Sequence, residues 1–191
     1  MTSSTSPTPR AVRRGRRMLI ALAVLFFGSM LVAGALRFAG WQPTTMRNHG
    51  ELLSPPTDLR ARTPLRADGQ PYSWQPAERM WRIALAPPAG CGQSCVRLAA
   101  DLDKVWQLLG HQADKVEVLW IGPPPAGLPP MSALRVLRDD AGLRQALPRV
   151  DDPAGVPVYV IDPNGFVILR YAPGFDPAGL RADLVKLLKL M

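Results

Sequence analysis

Cys91 and Cys95 are the only two cysteines in the 191 residues, and they stand together as Cys-Gly-Gln-Ser-Cys. Thiols at this spacing support three chemistries: closing a disulfide, sharing a soft metal ion, or exchanging electrons with another thiol pair. An apolar run at 80–86 precedes the pair and a stretch of helical periodicity at 96–109 follows it. The sulfurs are therefore expected on a turn between a strand and a helix.

That position has chemical consequences. The N-terminus of a helix carries the positive end of the macrodipole, which favours a thiolate, and the thiolate is both the nucleophile and the metal ligand. Gly90 and Gly92 let the turn bend and leave the sulfurs approachable. With three residues between them, the two cysteines are about one helical turn apart. Two thiolates suit Cu(I) above all, usually with a third ligand. The candidates for that ligand are few: His49, His111, Met46, Met80 and Met131. His111 is expected about a helix length, roughly 20 Å, from the pair, and the methionines read more naturally as core or linker residues. A purely structural disulfide is the plainer alternative. It would close a very small loop, so its gain in chain entropy would be small.

The elements that must position the pair follow in order. Residues 80–86 read as a buried strand, and Pro87-Pro88-Ala89-Gly90 turns the chain into the cysteines. Leu98, Leu102, Val105 and Leu109 recur at helical spacing and Gly110 ends the helix. Residues 116–121 form a second strand, 133–137 are ambiguous between strand and helix, and 139–147 suggest a short helix ended by Pro148. Residues 156–161 and 166–171 are β-rich and joined by Asp162-Pro163-Asn164-Gly165, a strong hairpin signal. Asp176-Pro177 caps a last helix with Leu180, Leu184, Leu187 and Leu188 on its apolar stripe. This order, strand, Cys turn, helix, strand, variable segment, hairpin, helix, predicts an α/β thioredoxin-like sandwich.

The formal charge of +8 is concentrated at one end. Arg10, Arg13, Arg14, Arg16, Arg17 and Arg37 flank an uncharged run from Met18 to Leu36. At 1.5 Å per residue that run spans about 28 Å, close to the hydrocarbon thickness of a bilayer. Beyond it, 17 Lys/Arg face all 15 Asp/Glu, so the rest is nearly neutral. The charge is a topology signal, and no basic stripe interleaved with aromatics suggests nucleic acid. The leading Arg cluster predicts a cytoplasmic N-terminus. In a Gram-negative bacterium this is a single-pass inner-membrane anchor with a periplasmic C-terminal domain. A cleaved signal peptide, with Ala33-Gly34-Ala35 as its cleavage site, is the competing reading; the apolar core is longer than usual for one. The organisation expected is a disordered cytoplasmic tail at 1–17, a transmembrane anchor at 18–38, an extended arm at 39–71 and a thioredoxin-like domain at 72–191. An oxidising compartment favours disulfides, so the pair is expected oxidised unless a partner reduces it. Nothing suggests a hydrolase or a phosphate-binding loop: Asp139/Asp140 and Asp151/Asp152 read as caps and turns.

The chain resembles a divergent member of the SCO/SenC group, membrane-anchored thioredoxin-like proteins that help assemble the copper centre of cytochrome c oxidase. The resemblance runs from about Asn48 to Leu190. It is carried by the anchor, the Cys91-x-x-x-Cys95 spacing, the Asn-His-Gly-x-Leu-Leu-x-Pro-Pro arm at 48–56, and Tyr159-Val-Ile-Asp162-Pro163-Asn-Gly165. It implies Cys91 and Cys95 as copper ligands or redox thiols, Cu(I) as the metal, and a respiratory oxidase subunit or its assembly factors as partner. It also implies a His shortly before Tyr159, where this chain has Asp152-Pro153-Ala154, and a proline between the cysteines, where it has Gly92-Gln93-Ser94. The missing His shifts weight toward a thiol–disulfide oxidoreductase; a scaffold that keeps the fold without chemistry is the third alternative. Pro157, after Gly155-Val156, resembles the cis-proline that such redox proteins place beside the cysteines, or else is a strand-edge proline.

Overall fold

A computed structural model describes residues 9–39 and 48–190. The chain divides into two units, Met1–Met46 and Arg47–Met191. In the first, helix α1 runs over Pro9–Phe38. It starts ahead of the uncharged run, within the segment expected to be an irregular tail. Arg and Ala are good helix formers and Pro is tolerated in a first turn, which lets the helix extend there. Its stretch Gly15–Phe38 is long and apolar enough to cross a membrane, and none of that span is buried inside the protein. Leu25, Phe26 and Leu31 stand exposed along it, an arrangement that suits lipid rather than water.

The second unit is built on one six-stranded sheet of order β1-β6-β5-β2-β3-β4. Its strands are β1 (Glu51–Asp58), β2 (Trp81–Leu85), β3 (Val116–Ile121), β4 (Leu134–Leu137), β5 (Val158–Ile161) and β6 (Phe166–Tyr171). β2, β3 and β4 run parallel; β5 is antiparallel to both β2 and β6. Every residue of β2, β3 and β5 is buried, as expected for strands covered on both faces. On one face Ile83, Leu85, Val118 and Val160 pack against helices α2 (Gly92–Gln107) and α4 (Pro177–Leu188). On the other, Ala84, Leu119 and Ile161 pack against Leu59, Tyr72, Trp74 and Leu143 of the short helix α3 (Ala141–Ala146).

The ambiguous segment at 133–137 is β4, paired with β3. The hairpin signal is realised: Gly165 takes φ +97, and Phe166 N–H donates to Asp162 Oδ1 at 2.8 Å. Asp176 caps α4 by accepting from Ala178 N–H at 2.9 Å. The segment read as an arm supplies an edge strand, β1, pairing with β6. Its Ser54-Pro55-Pro56 lies where the register shifts between Leu52 and Thr57; an edge with a bulge is where a sheet tolerates residues without an N–H.

A buried polar network ties this covering layer to the sheet. Arg82 of β2, 1 % exposed, donates to Tyr72 Oη at 2.6 Å, to the Trp74 carbonyl at 2.8 Å and to the Met80 carbonyl at 2.8 Å. It also pairs with Glu117 at 3.4 Å, and Tyr72 donates its hydroxyl to the same carboxylate. Burial, reinforced by the Glu117 charge, pushes the Tyr72 phenol well above its usual range, so it stays protonated and able to donate.

Candidate functional site

β2 ends at Leu85, and residues 86–90 carry the chain to Cys91 at the start of α2. Gly90 (φ +79) and Gly92 (φ +54) adopt left-handed conformations on either side of it, which glycine accepts without steric cost. The helix begins one turn earlier than its apolar periodicity indicates, because residues 92–95 have one buried member, Cys95. Cys91 occupies the N-cap position with helical dihedrals (φ −63, ψ −13). Ser94 Oγ donates to its carbonyl at 2.6 Å, and Arg144 of α3 braces the turn by donating to the Pro87 carbonyl at 3.1 Å.

The two cysteines are joined as a disulfide, with Cα atoms 5.8 Å apart. Their environments differ. Cys95 is fully buried in the core under α2, whereas Cys91 is only half-buried. Cys91 faces two depressions. A groove of about 560 Å³ runs between the start of α2 and the loops before β5 and after β6, with Leu98, Asp152, Val156, Pro173 and Phe175 among its walls. A smaller hollow of about 330 Å³ is framed by Pro87, Pro88, Pro123, Pro124 and Trp120.

The other residues singled out from sequence are scattered. Pro157 is buried directly before β5; its peptide bond with Val156 is trans, the cis bond in the described residues being Ser54–Pro55. Val156, not Pro157, lines the groove. His111 is exposed in the 3-10 segment Gly110–Lys115 beyond α2. His49 pairs through Nδ1 with Asp183 of α4 at 3.2 Å. Met131 is a core residue and Met80 precedes β2. Met46 lies outside the described residues. In the stretch where the resemblance expects a His, Asp152-Pro153-Ala154, Asp152 lines the groove but is engaged by Arg170 Nη2 at 2.5 Å. The backbone N–H of Ala154 and that guanidinium hold Asp152 below the usual carboxylate range. Among the described residues, no group of three or more His, Cys, Asp and Glu is placed to hold a metal ion. The donors present at the site are thus two soft sulfurs without a third soft partner.

Sequence reasoning missed Asp183. It is 2 % exposed and accepts from His49, Gly50, Tyr171 and Lys186. Its signal was legible: it lies three residues after Leu180 and one before Leu184, an acid on an apolar helix face.

A cysteine pair at the head of a helix, on a mixed sheet with helices on both faces, defines a thioredoxin-like protein. The chain belongs to the family described as the transmembrane-like, thioredoxin-like, C-terminal domain, whose model matches residues 81–191. No curated protein matches it. Solved structures share the fold at low identity, and several of them are Sco proteins. Yeast Sco1 with copper bound superposes with TM-score 0.53 at 13% identity, over 73% of this chain and 92% of that one. Apo Sco1 from Thermus thermophilus gives 0.52 at 15%, over 76% and 99%. BsSco, a Sco-family cytochrome c oxidase assembly protein with a disulfide switch, gives 0.50 at 14%, over 68% and 92%.

Proposed function

We propose that this chain is a membrane-tethered thiol–disulfide exchange protein whose Cys91/Cys95 pair serves assembly of the copper centre of a respiratory oxidase. One observation carries the chemistry: a half-buried Cys91 at the start of α2 stands over a fully buried Cys95. Cys91 is the attacking thiol. In the reduced protein its thiolate attacks one sulfur of a partner disulfide, forming a mixed disulfide and releasing one partner thiolate. Cys95 then attacks the Cys91 sulfur, its proton passing to the second partner thiolate as that group leaves. The pair is oxidised by two electrons and the partner reduced by two. An upstream dithiol protein restores the reduced pair. Pro157 directly precedes β5, and its ring fixes the backbone next to Val156.

The assignment to oxidase assembly draws on the Sco fold and on the arm motif. The partner is an oxidase subunit or one of its assembly factors. The anchor is α1, placed in the bacterial inner membrane with its Arg-rich end cytoplasmic and residues 48–190 periplasmic.

Cu(I) is the cargo in a second reading, favoured by two sulfurs held at one point at the head of a helix. In the reduced protein Cys91 and Cys95 would be its ligands. The deciding experiment pairs two measurements on reduced full-length protein. Equilibration with glutathione buffers must yield a Cys91–Cys95 couple; a potential too negative to exchange with partner thiols marks a structural bond and sinks the exchange reading. Anaerobic Cu(I) titration must show binding tighter than in a Cys91→Ser/Cys95→Ser variant, or the cargo reading fails.

A further inference from the structure

The Asn48-His49-Gly50 stretch takes no part in the chemistry above, yet it is fastened at several points. Asp183 Oδ2 accepts from the backbone N–H groups of His49 (2.6 Å) and Gly50 (3.1 Å) and from the Tyr171 hydroxyl (2.9 Å). Its Oδ1 takes Lys186 Nζ at 3.0 Å and His49 Nδ1 at 3.2 Å. Asn48 Nδ2 closes the turn onto the Gly50 carbonyl. The packing is as close as the bonding. A Cβ on Gly50 would lie 2.6 Å from the Tyr171 ring, and one on Gly179 of α4 would lie 2.8 Å from His49 Cβ.

What this fastening holds is a wall of the Cys91 groove. Tyr171 is the last residue of β6, and its ring packs on Phe175 with centroids 5.3 Å apart. Residues 172–175 link β6 to α4. Pro173, Gly174 and Phe175 line the Cys91 groove on one side and share a second recess with His49 on the other. Across the groove, a Cβ on Gly155 would lie 3.3 Å from Pro173 Cβ, so a displacement of that loop reaches the opposite wall.

We propose that Asn48, His49, Gly50, Tyr171 and Asp183 form a positioning clamp that sets the groove beside Cys91 for an extended peptide carrying the target disulfide. This rests on the exchange reading. The clamp residues are positioning residues: a small reagent reaches half-buried Cys91 without the groove wall, whereas a peptide must lie along it.

The test uses full-length reduced protein in detergent with Gly50→Ala, Tyr171→Phe and Asp183→Asn variants. The substrates are a decapeptide with an internal disulfide and, for comparison, oxidised glutathione. Gly50→Ala drives a methyl into the Tyr171 ring, while Tyr171→Phe keeps the ring and its packing and removes one bond, so the milder variant carries the test where the first does not fold. The expected result is a KM for the decapeptide raised about fivefold, the scale of one lost hydrogen bond. Its kcat, the rate with oxidised glutathione and the Cys91–Cys95 potential should stay unchanged. A KM unaffected in folded variants, or equal losses on both substrates, overturns the clamp. Wild-type protein that reduces neither disulfide overturns the exchange reading instead. The clamp is then decided by alkylation of reduced Cys91. Gly50→Ala must slow a maleimide-bearing decapeptide but not iodoacetamide, and equal rates refute it.

Discussion

Replacing Arg82 by Met probes what holds the covering layer on the strand that delivers the cysteines. The side chain is 1 % exposed, and its guanidinium serves Tyr72 Oη, four backbone carbonyls and Glu117. Met fills much of the volume but supplies no donor, so a large cavity is not the main cost. The main cost is Glu117, 9 % exposed, left with the Tyr72 hydroxyl and with Arg135 Nε at 3.5 Å. Breaking a buried pair from one side typically costs about 3–5 kcal/mol. For a domain of this size that corresponds to a fall of roughly 10–15 °C in Tm.

The double variant Arg82→Met/Glu117→Leu separates the charge from the rest. Removing the stranded carboxylate should return part of the loss, giving a coupling of about 1–3 kcal/mol between the two sites. It should not restore wild-type stability, because the Trp74 carbonyl and the Tyr72 hydroxyl still lack the Arg82 donor and, for Tyr72, its Glu117 acceptor. Denaturant unfolding followed by near-ultraviolet circular dichroism reads all four corners of the cycle. A single variant that loses less than about 1 kcal/mol, or a double whose loss equals the sum of the singles, refutes the reasoning.

Three further outcomes are expected. Cys95→Ser should accumulate a mixed disulfide with a thiol partner, visible on non-reducing gels, whereas Cys91→Ser should not, since Cys95 is fully buried. For Asp183, burial opposes ionisation, but donors from Gly50, Lys186 and His49 prevail and lower its pKa from 3.8 to about 2. Its contribution to stability is therefore complete above pH 3.8 and lost as pH falls toward about 2; acid titration of Asp183→Asn should lack that part of the slope seen in wild type. Full-length protein should stay in membranes after carbonate extraction, with alkaline phosphatase fused after Met191 active, whereas chain beginning at Arg47 should be extracted; inactive fusions would reverse the orientation.

The legible parts of the fold were those set by local chemistry. Asp162-Pro163-Asn164-Gly165 encodes its own turn, and Asp176-Pro177 its own cap. The 80–86 and 116–121 runs are apolar but for Arg82 and Glu117, which pair with each other, because both sheet faces are covered. Local signals were weak where tertiary contacts decide. Leu134–Leu137 alternates too briefly to exclude helix and becomes a strand by pairing with β3. Residues 51–58 carry two prolines, so only their place on the sheet edge makes them a strand. Of the site, the Cys pair and its strand-to-helix turn were readable from spacing. The groove was not, because its walls come from 88, 98, 152–156 and 173–177, far apart in sequence.

The position of the missing His acquires a physical meaning from its neighbours. Asp152 does not stand in for a ligand, because its carboxylate already accepts from Arg170 and from Ala154 N–H. A hard oxygen held by a guanidinium is poorly suited to Cu(I). Arg170 is 3 % exposed and needs this carboxylate, with the Glu51 carboxylate 3.9 Å from its Nη1. Glu51 also pairs with Arg149, so the position is committed to a charge network that ties the 149–152 loop to β1 and β6. Restoring a His by Asp152→His would therefore strand Arg170 as well as add an imidazole. The proposed thiol–disulfide exchange at Cys91 and Cys95 requires no third ligand and is compatible with that network, whereas a three-coordinate copper site would have to be built against it.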